Sequence, residues 1–509
     1  MSELASDSMS QGGTGRLRRG VTARAARIVF AADLDTELPY LTEIDEAHLV
    51  MLTERGLVGP APAAALLREI GALRASDYAP LRDRPAPRGT YLLYERHLID
   101  RLGPEVGGVL HTGRSRNDLK ATTHLLRARP LVDRLRRGLL RLQAVLLSRA
   151  RTHRDVVMPA YSQFQPAVPA TFGWYLLGVA AALDRDHAAL AAVELARCPL
   201  GAAGGGGTDV PIDPARTAAL LGFAAPVEHA GDAIASRDEL LRLLSAAALT
   251  GVTLSRLATD LQLWSTPEYD LVEFGDELVG SSSAMPQKRN PFLLEHIKGG
   301  AGTLIGACTA ALSTMKNTPF GNSVEATTEA VGPVWTGLST LDDLVQLAIC
   351  VAAGARPRPA AMLAAAERGF TAATAVANSL VRQGIPFRRA HTAVGAMITE
   401  LIAEGARGFA DRTAGDLAAR LTAGLGTPVT LTDGDASPAA VATATDHGGG
   451  PGPASFQAGH DRLAAAWRAQ VSAVLRTAEQ QDVARTRREA AVSALRAGAA
   501  EPTSSGGAR

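Results

Sequence analysis

Leucine positions along the chain indicate long helices. Residues 130–153 carry leucine at every third or fourth position with arginines between them, which is typical of a helix that buries one face. The leucines of this stripe are Leu131, Leu135, Leu139, Leu142 and Leu146. Stretches 237–264, 291–315 and 334–353 are also long and apolar. Because 291–315 is apolar nearly all round, we expect it to lie deep inside a bundle.

The remaining patterns favour helices over strands. Aromatic residues make up 4% of the chain, and alternating runs typical of strands are few. Small residues on the long helices permit close approach between neighbouring helices. The sequence therefore predicts an all-α protein built around an extended bundle. Breaks in composition at 82–88, 199–214 and beyond 427 separate the helical regions.

Charge and cysteine content exclude several classes of protein. The chain has 52 basic and 51 acidic residues, so we expect neither nucleic acid nor an anionic membrane surface as its main partner. The uncharged stretch 156–183 is interrupted by prolines, and its continuous apolar part is too short for the roughly 20 residues of a membrane span. Three widely spaced cysteines and an N-terminus without an apolar signal region favour a cytoplasmic location.

A first candidate site is the segment HTGRSRNDLK at residues 111–120. Ser115, Arg116 and Asn117 place hydroxyl, guanidinium and amide donors within a short turn that leads into a helix. Together with the backbone N–H groups of a helix N-terminus, such donors can converge on a carboxylate. From spacing alone, a simple polar N-cap is an equally good interpretation.

Two further segments combine polar side chains with loop residues. PAYSQFQPAVP at 159–169 holds Ser162 and Gln165 between prolines, and alone it favours the simple start of a buried helix. GSSSAMPQKRNP at 280–291 predicts an exposed flexible loop in which a serine beside a lysine can act as a base or nucleophile. The phosphate-binding pattern GxxxxGK[ST] is absent, and a flexible serine-rich linker is the alternative.

These segments together carry a family resemblance. GSSSAMPQKRNP resembles the signature loop of the fumarase/aspartase superfamily, and HTGRSRND resembles the corresponding motif of argininosuccinate lyases. Further similar segments are PID and LLGF (211–213, 220–223), SRLATDLQLWS (255–265) and LVRQGIPFRRAH (380–391). All of them follow the family order, and the chain is identified as a member of this superfamily.

The resemblance implies an architecture and a reaction. It implies three mainly helical domains, here 1–110, 111–354 and 355–485, with a central bundle that forms a homotetramer and a disordered tail over 486–509. Each active site would gather the three motifs from different subunits. The implied reaction is a β-elimination: a base removes a Cβ proton, an enediolate-like dianion forms, an amine leaves and fumarate remains. The resemblance implies no cofactor and no metal, and its partner is a small-molecule substrate.

The resemblance also implies roles for individual residues. Ser282 corresponds to the base, although the glycine that usually precedes it stands one place earlier, which leaves Ser281 as an alternative base. Lys288 would act with Ser282 as a catalytic residue, holding the carboxylate that takes up charge. The implied substrate-binding residues are Ser115, Arg116, Asn117, Ser162, Gln165, Ser281, Ser283 and Asn290.

Three departures from the family pattern concern the amine side of the reaction. Gln163 stands where the family has the histidine of T-H-L-Q, while its glutamate partner remains as Glu295; an amide cannot act as a general acid. Some aspartases also carry glutamine here. The ammonium group that they expel is already protonated before it leaves. Tyr91 replaces another family histidine and is kept as a substrate-binding candidate, whereas His97 is expected at the surface. Segment 317–330 replaces residues that hold the arginine portion, and only Asn322 remains.

Three functions stay open at this point. The favoured one is a C–N lyase that releases fumarate from an N-substituted aspartate other than argininosuccinate. The second is an orthodox argininosuccinate lyase of arginine biosynthesis. The third is an inactive tetrameric scaffold, against which the intact set Ser282, Lys288 and Asn290 argues.

Overall fold

The computed structural model of the protein describes residues 25, 34–82, 84, 86 and 89–498. The described residues of the N-terminal region form five helices: α1 Leu34–Glu54, α2 Pro60–Ala75, α3 Ala79–Arg82, α4 Thr90–Leu102 and α5 Pro104–Gly107. Seven follow in the central region: α6 Arg116–Thr152, α7 Phe172–Ala191, α8 Pro214–Leu220, α9 Ala230–Ala235, α10 Asp238–Trp264, α11 Phe292–Met315 and α12 Gly332–Gly354. The C-terminal helices are α13 Pro359–Glu367, α14 Ala373–Arg382, α15 Phe387–Ala403, α16 Ala414–Leu425, α17 Asp433–Ala436, α18 Pro438–Ala444 and α19 Pro453–Gly498.

The strands are short and pair two by two. The antiparallel pairs are β1 Val157–Ser162 with β2 Gln165–Thr171, β5 Val272–Glu273 with β8 Arg356–Pro357, and β6 Gly280–Ser281 with β7 Arg289–Asn290. The parallel pair is β3 Arg197–Cys198 with β4 Ala225–Pro226. Single helical turns of other types occur at Gly108–His111, Asp276–Leu278 and Glu325–Glu329, the last being a π turn. The predicted all-α class is confirmed.

The long helices α6, α7, α10, α11 and α12 pack side by side as the predicted bundle. The leucine stripe of α6 lies in its core, where Leu135, Leu139, Leu142 and Leu146 are fully buried. Glycines permit the close packing: a Cβ on Gly337 would lie 2.3 Å from a Leu244 methyl, and one on Gly251 would lie 2.8 Å from a Leu304 methyl. Since the buried leucine side chains would have to move within a close-packed core to relieve contacts this short, glycine is favoured where these helices cross.

The expectation for residues 291–315 is wrong for the single chain. Only five side chains of α11 are buried: Leu294, Ile297, Ala301, Leu304 and Ala311. Ile305 and Leu312 on the opposite face remain 48% and 47% exposed. A helix that is apolar all round but covered on one side presents an apolar surface.

The expected boundaries at the C-terminal end also need correction. The C-terminal domain was predicted over 355–485, but its hydrophobic core is built from residues between Phe370 and Val429, with Leu431, Ala436 and Val441 packed against it. Helix α19 leaves this core and packs along α6, α7 and the N-terminal helices α1 and α2.

The predicted disordered tail of 486–509 is helical as far as Gly498. Arg488 forms an ion pair with Glu43 at 2.7 Å, and Val492 is buried, so this part of α19 is fixed to the N-terminal region. Residues 499–509 lie outside the described residues, as do 1–24 and 26–33 of the predicted N-terminal domain.

Two segments are long and apolar enough to cross a membrane, by length and composition only: α10 and residues 325–354, which include α12. Both pack against other helices of the bundle, α10 against α11 and α12, and α12 also against α6. The buried apolar residues of both segments therefore contribute to the protein core.

Candidate active site

The first motif forms the N-terminus of the 37-residue helix α6. Ser115 is the N-cap, and its side chain accepts a hydrogen bond from the backbone N–H of Asn117 at 3.3 Å. Asp118 completes a capping box by accepting from the Ser115 N–H at 3.0 Å. The N-cap interpretation of this segment is therefore correct, and the cap also holds Arg116 and Asn117 at the helix N-terminus.

Asp118 connects the first motif to the glycine-rich loop. Its Oδ2 accepts hydrogen bonds from the backbone N–H groups of Gly201 and Ala203 at 3.0 and 2.8 Å. Burial raises the pKa of this carboxyl group, and the backbone donors lower it. This role of Asp118 was not predicted, although its place three residues after the N-cap was the available signal.

Arg114 and His48 fix the motif from the N-terminal region. The guanidinium of Arg114 contacts the Asp45 carboxylate at 2.6 Å, and both side chains are completely buried. His48 Nε2 lies 2.8 Å from the carbonyl oxygen of Thr112. Burial lowers the pKa of His48 to about 3, so the neutral ring donates this hydrogen bond. Neither contact was predicted.

Tyr91 lies beside the first motif. Its hydroxyl is 2.9 Å from Nδ1 of His111 and donates to Glu95 at 3.1 Å. Burial and the charge of Arg114 lower the pKa of His111 to about 4. The expectation for His97 is wrong: this side chain is buried and lies 3.0 Å from Glu69.

The second motif is the tip of a β-hairpin and not a loop. Ser162 ends β1 and Gln165 begins β2, and the two turn residues are Gln163 and Phe164. These two residues have φ of 52° and 63°, the left-handed conformation of a tight hairpin turn that non-glycine residues rarely adopt. All four side chains are exposed, with Phe164 73% exposed. The hairpin therefore presents Ser162, Gln163 and Gln165 outward.

The third motif is a loop closed by the short pair β6 and β7. The half-buried Ser282 directs its Oγ into the loop, where it accepts hydrogen bonds from the N–H groups of Ala284 and Met285 at 3.3 and 3.1 Å. In the described part of the chain, the exposed Ser281 and Ser283 have no side-chain hydrogen bond. Lys288 is exposed, and its backbone N–H donates to Met285 O at 3.1 Å, while Asn290 lies half-buried in β7.

Glu295 lies in the first turn of α11, immediately after the third motif. Its carboxylate accepts a hydrogen bond from the side-chain amide of Gln262 at 3.1 Å and is otherwise exposed. Gln262, which lies on α10, is a neighbour that the sequence argument did not identify.

The motifs lie at two opposite ends of the bundle. The second motif follows the C-terminus of α6, and Tyr161 of its hairpin packs within 6.2 Å of Trp264 and 6.0 Å of Tyr269, which precede the third motif. The first motif lies at the other end of α6, about 55 Å away at 1.5 Å per residue. One chain therefore cannot bring all three motifs together.

Segment 317–330 lies at the same end as the first motif. Its π turn is joined to α6 by a hydrogen bond from Lys120 Nζ to Thr328 Oγ1 at 2.6 Å. Asn322 precedes this turn and is exposed. The residues expected to bind the amine portion thus form one end of the bundle, while the serine loop forms the other. Within the described ranges, no three His, Cys, Asp or Glu side chains cluster in a way that could hold a metal ion.

The chain is similar to known proteins in sequence and in fold. The sequence profile of the lyase family matches residues 65–306, and that of the argininosuccinate lyase C-terminal family matches 370–426. A solved structure of EDDS lyase in complex with formate has a TM-score of 0.85 and 26% sequence identity, covering 94% of this chain and 95% of that one.

Curated relatives extend the likeness over most of the chain. Argininosuccinate lyase of Azotobacter vinelandii is 33% identical over 470 residues, 89% of this chain and 97% of the relative. That of Acidothermus cellulolyticus is 37% identical over 395 residues, 77% of this chain and 80% of the relative. The fold and these similarities are those of a carbon–nitrogen lyase of the fumarase/aspartase superfamily that releases fumarate. Within that superfamily, the chain belongs to the argininosuccinate lyase family.

Proposed function

We propose that this lyase eliminates fumarate from an N-substituted aspartate whose amine portion differs from arginine. The environment of Ser282 carries the proposal. Two backbone N–H groups directed at its Oγ stabilise a deprotonated oxygen, as a serine that removes a Cβ proton requires. Neither neighbouring serine has this support, which favours Ser282 over Ser281 as the base.

The other residues of the loop take roles on the fumarate side. The exposed ammonium of Lys288 and the amide of Asn290 stabilise the carboxylate that gains charge as the Cβ proton leaves. Their effect is largest when the loop closes over the substrate and excludes water. Ser115, Arg116 and Asn117 bind the succinyl carboxylates at the helix N-terminus, and Ser162 and Gln165 approach from the hairpin tip.

The residues expected to act on the amine portion support a leaving group other than arginine. Gln163 at the hairpin tip has no titratable proton, so it cannot protonate a leaving nitrogen, and Glu295 is bonded to Gln262. An amine nitrogen that is already protonated in the substrate leaves as the neutral amine and needs no such acid. The similarity to EDDS lyase also supports this proposal, because the name of that enzyme gives a substrate other than argininosuccinate. The names of the curated relatives favour orthodox argininosuccinate lyase as the second candidate.

Assembly from several copies follows from the same geometry. Because α6 separates the first motif from the other two, a complete site needs at least two chains, and a homotetramer working in the cytoplasm is the form we infer. The exposed apolar face of α11, together with Leu249 and Val252 on α10, is a suitable surface for that association.

The substrate is best identified by running the reaction backward. Fumarate is incubated with a library of amines and the adducts are identified by mass spectrometry. We expect at least one N-substituted aspartate to form, and to be cleaved far faster than argininosuccinate in the forward direction. Robust turnover of argininosuccinate would support the second candidate instead. If no adduct forms and no fumarate is released from any N-substituted aspartate, the chain is an inactive scaffold.

Sharing of sites between chains predicts complementation. Ser282→Ala and Asn117→Ala chains are each expected to be inactive, but mixed oligomers should regain part of the activity, because some sites then combine an intact serine loop with an intact first motif. Elimination is measured after co-expression of the two chains. The control is a mixture of Ser282→Ala chains with Lys288→Ala chains. Both changes lie in the same loop, so no site has an intact loop and no activity should return. Mixed oligomers that stay inactive would contradict sites shared between chains.

A further inference from the structure

His111 opens the first motif and is bonded to two residues of α4. Nδ1 of its ring lies 2.9 Å from the Tyr91 hydroxyl, and that hydroxyl donates to the Glu95 carboxylate at 3.1 Å. Tyr91 is buried, whereas the His111 side chain is 38% exposed. The three side chains therefore form a continuous row of hydrogen bonds that ends in an accessible imidazole beside the first motif.

The direction of these hydrogen bonds fixes the tautomer of His111. A tyrosine hydroxyl has a single proton, and Tyr91 donates it to Glu95, so its oxygen can only accept a hydrogen bond from Nδ1 of His111. Nη2 of Arg114 approaches the same oxygen at 3.5 Å, also as a donor. In the neutral ring the proton therefore lies on Nδ1, and Nε2 carries a lone pair. Among the described residues, none forms a hydrogen bond with this Nε2.

The ring of His111 is neutral over the usual pH range. Burial and the charges of Arg114 and Arg116 lower the pKa of His111 to about 4, against the opposing charge of Asp45. Above that pH, Nε2 can accept a hydrogen bond and cannot donate one.

A lone pair in this position selects the kind of group that it can contact. The two carboxylates of a succinyl portion offer only acceptors, so they are repelled by Nε2. The amine nitrogen offers N–H donors, and it is bonded to the same carbon as one of those carboxylates. His111 lies in the turn directly before the helix N-terminus that is proposed to bind them, with its carbonyl accepting from the Arg114 N–H at 3.4 Å.

Resting on the proposed function, we propose that His111 binds the amine nitrogen of the substrate, whose N–H group donates to Nε2. Tyr91 and Glu95 are positioning residues, because they hold the proton on Nδ1 and polarise the ring through the row of hydrogen bonds. The substrate class is then an N-substituted aspartate whose nitrogen keeps at least one N–H group.

Matched aspartate derivatives test this contact on the full-length protein. N-methylaspartate, N,N-dimethylaspartate and N,N,N-trimethylaspartate share one positive charge and both carboxylates, but their nitrogens carry two, one and no N–H groups. Dissociation constants are obtained by titrating each compound in thermal shift measurements. Each methyl group adds the same bulk, so a lost hydrogen bond should appear only at the last step. We expect Kd to rise about tenfold to a hundredfold from the dimethyl to the trimethyl compound, the range of a hydrogen bond to a charged group.

Two amide replacements of His111 separate the lone pair from the rest of the ring. The side chain of glutamine can place its oxygen near the position of Nε2, whereas that of asparagine reaches only the position of Nδ1 and the Tyr91 hydroxyl. His111→Gln should therefore keep a reduced form of the last step, and His111→Asn should lose it while retaining the contact with Tyr91. Tyr91→Phe, in which the tautomer is no longer fixed, should lose part of it. A last step that is absent in the wild type, or unchanged in His111→Asn, would overturn the inference.

His391→Asn is the matched control. His391 is exposed on α15, where its ring lies 6.0 Å from that of Phe387 in the C-terminal region. This variant should show the same difference between the dimethyl and trimethyl compounds as the wild type.

Binding of these compounds needs no turnover, which separates this inference from the proposed function. If the last step depends on His111 but no N-substituted aspartate releases fumarate, the proposed function fails and the nitrogen site remains. If fumarate is released while the last step is missing, the inference fails and the lyase function remains.

Discussion

Replacing Ser282 by alanine is expected to lower kcat for elimination about a hundredfold to ten-thousandfold, the usual contribution of a general base. The reason lies in the serine loop, where the N–H groups of Ala284 and Met285 are directed at this one oxygen. Without the Ser282 hydroxyl, no group in the loop is positioned and activated to take the Cβ proton. Fumarate release from the substrate identified in the backward reaction, followed by ultraviolet absorbance, measures the loss.

The two neighbouring serines provide matched controls for this variant. Ser281→Ala and Ser283→Ala remove the same atom from exposed positions without those donors, so elimination should fall only severalfold. If Ser281→Ala abolishes activity and Ser282→Ala does not, the base is Ser281. If none of the three variants affects elimination in correctly assembled protein, a serine is not the base.

Replacing Asp45 by leucine is expected to lower the free energy of unfolding by about 3–5 kcal/mol. The carboxylate is completely buried against Arg114 at 2.6 Å, so its removal leaves an unpaired guanidinium in the interior. The same change should loosen the first motif, since Arg114 is part of it. Urea denaturation followed by circular dichroism at constant protein concentration measures the loss.

A double variant separates lost packing from the unpaired charge. Asp45→Leu combined with Arg114→Met removes both charges, and it should be more stable than Asp45→Leu alone, because no buried charge then lacks its partner. Equal stability of the single and double variants would contradict the explanation by charge. It would point instead to the change in side-chain volume at position 45.

The helices were predictable because burial on one face leaves a periodic pattern in the sequence. The α6 stripe and the bounds of α10 and α11 could be read from leucine spacing and from the absence of proline. The hairpin could not, because its turn uses Gln163 and Phe164 at positive φ and has no Asn-Gly pair. The exposed face of α11 was mispredicted because an apolar residue gives no sign of whether its neighbour lies in the same chain.

The parts of the candidate site that lie within short segments of the sequence were predictable. The three motifs combine residue types within a few positions of one another, so their letters and their family resemblance suffice to identify them. The contacts of Asp45 with Arg114 and of Lys120 with Thr328 join residues far apart in sequence.

The length of α6 has a consequence for how such enzymes diversify. Substitutions around Lys120 and in segment 317–330 lie at one end of the bundle, and the serine loop folds at the other end of the same chain. A change of amine preference can therefore accumulate in one region without disturbing the local folding of the loop that removes the proton. A gene of this family can acquire a new substrate while its proton-abstraction machinery is inherited unchanged.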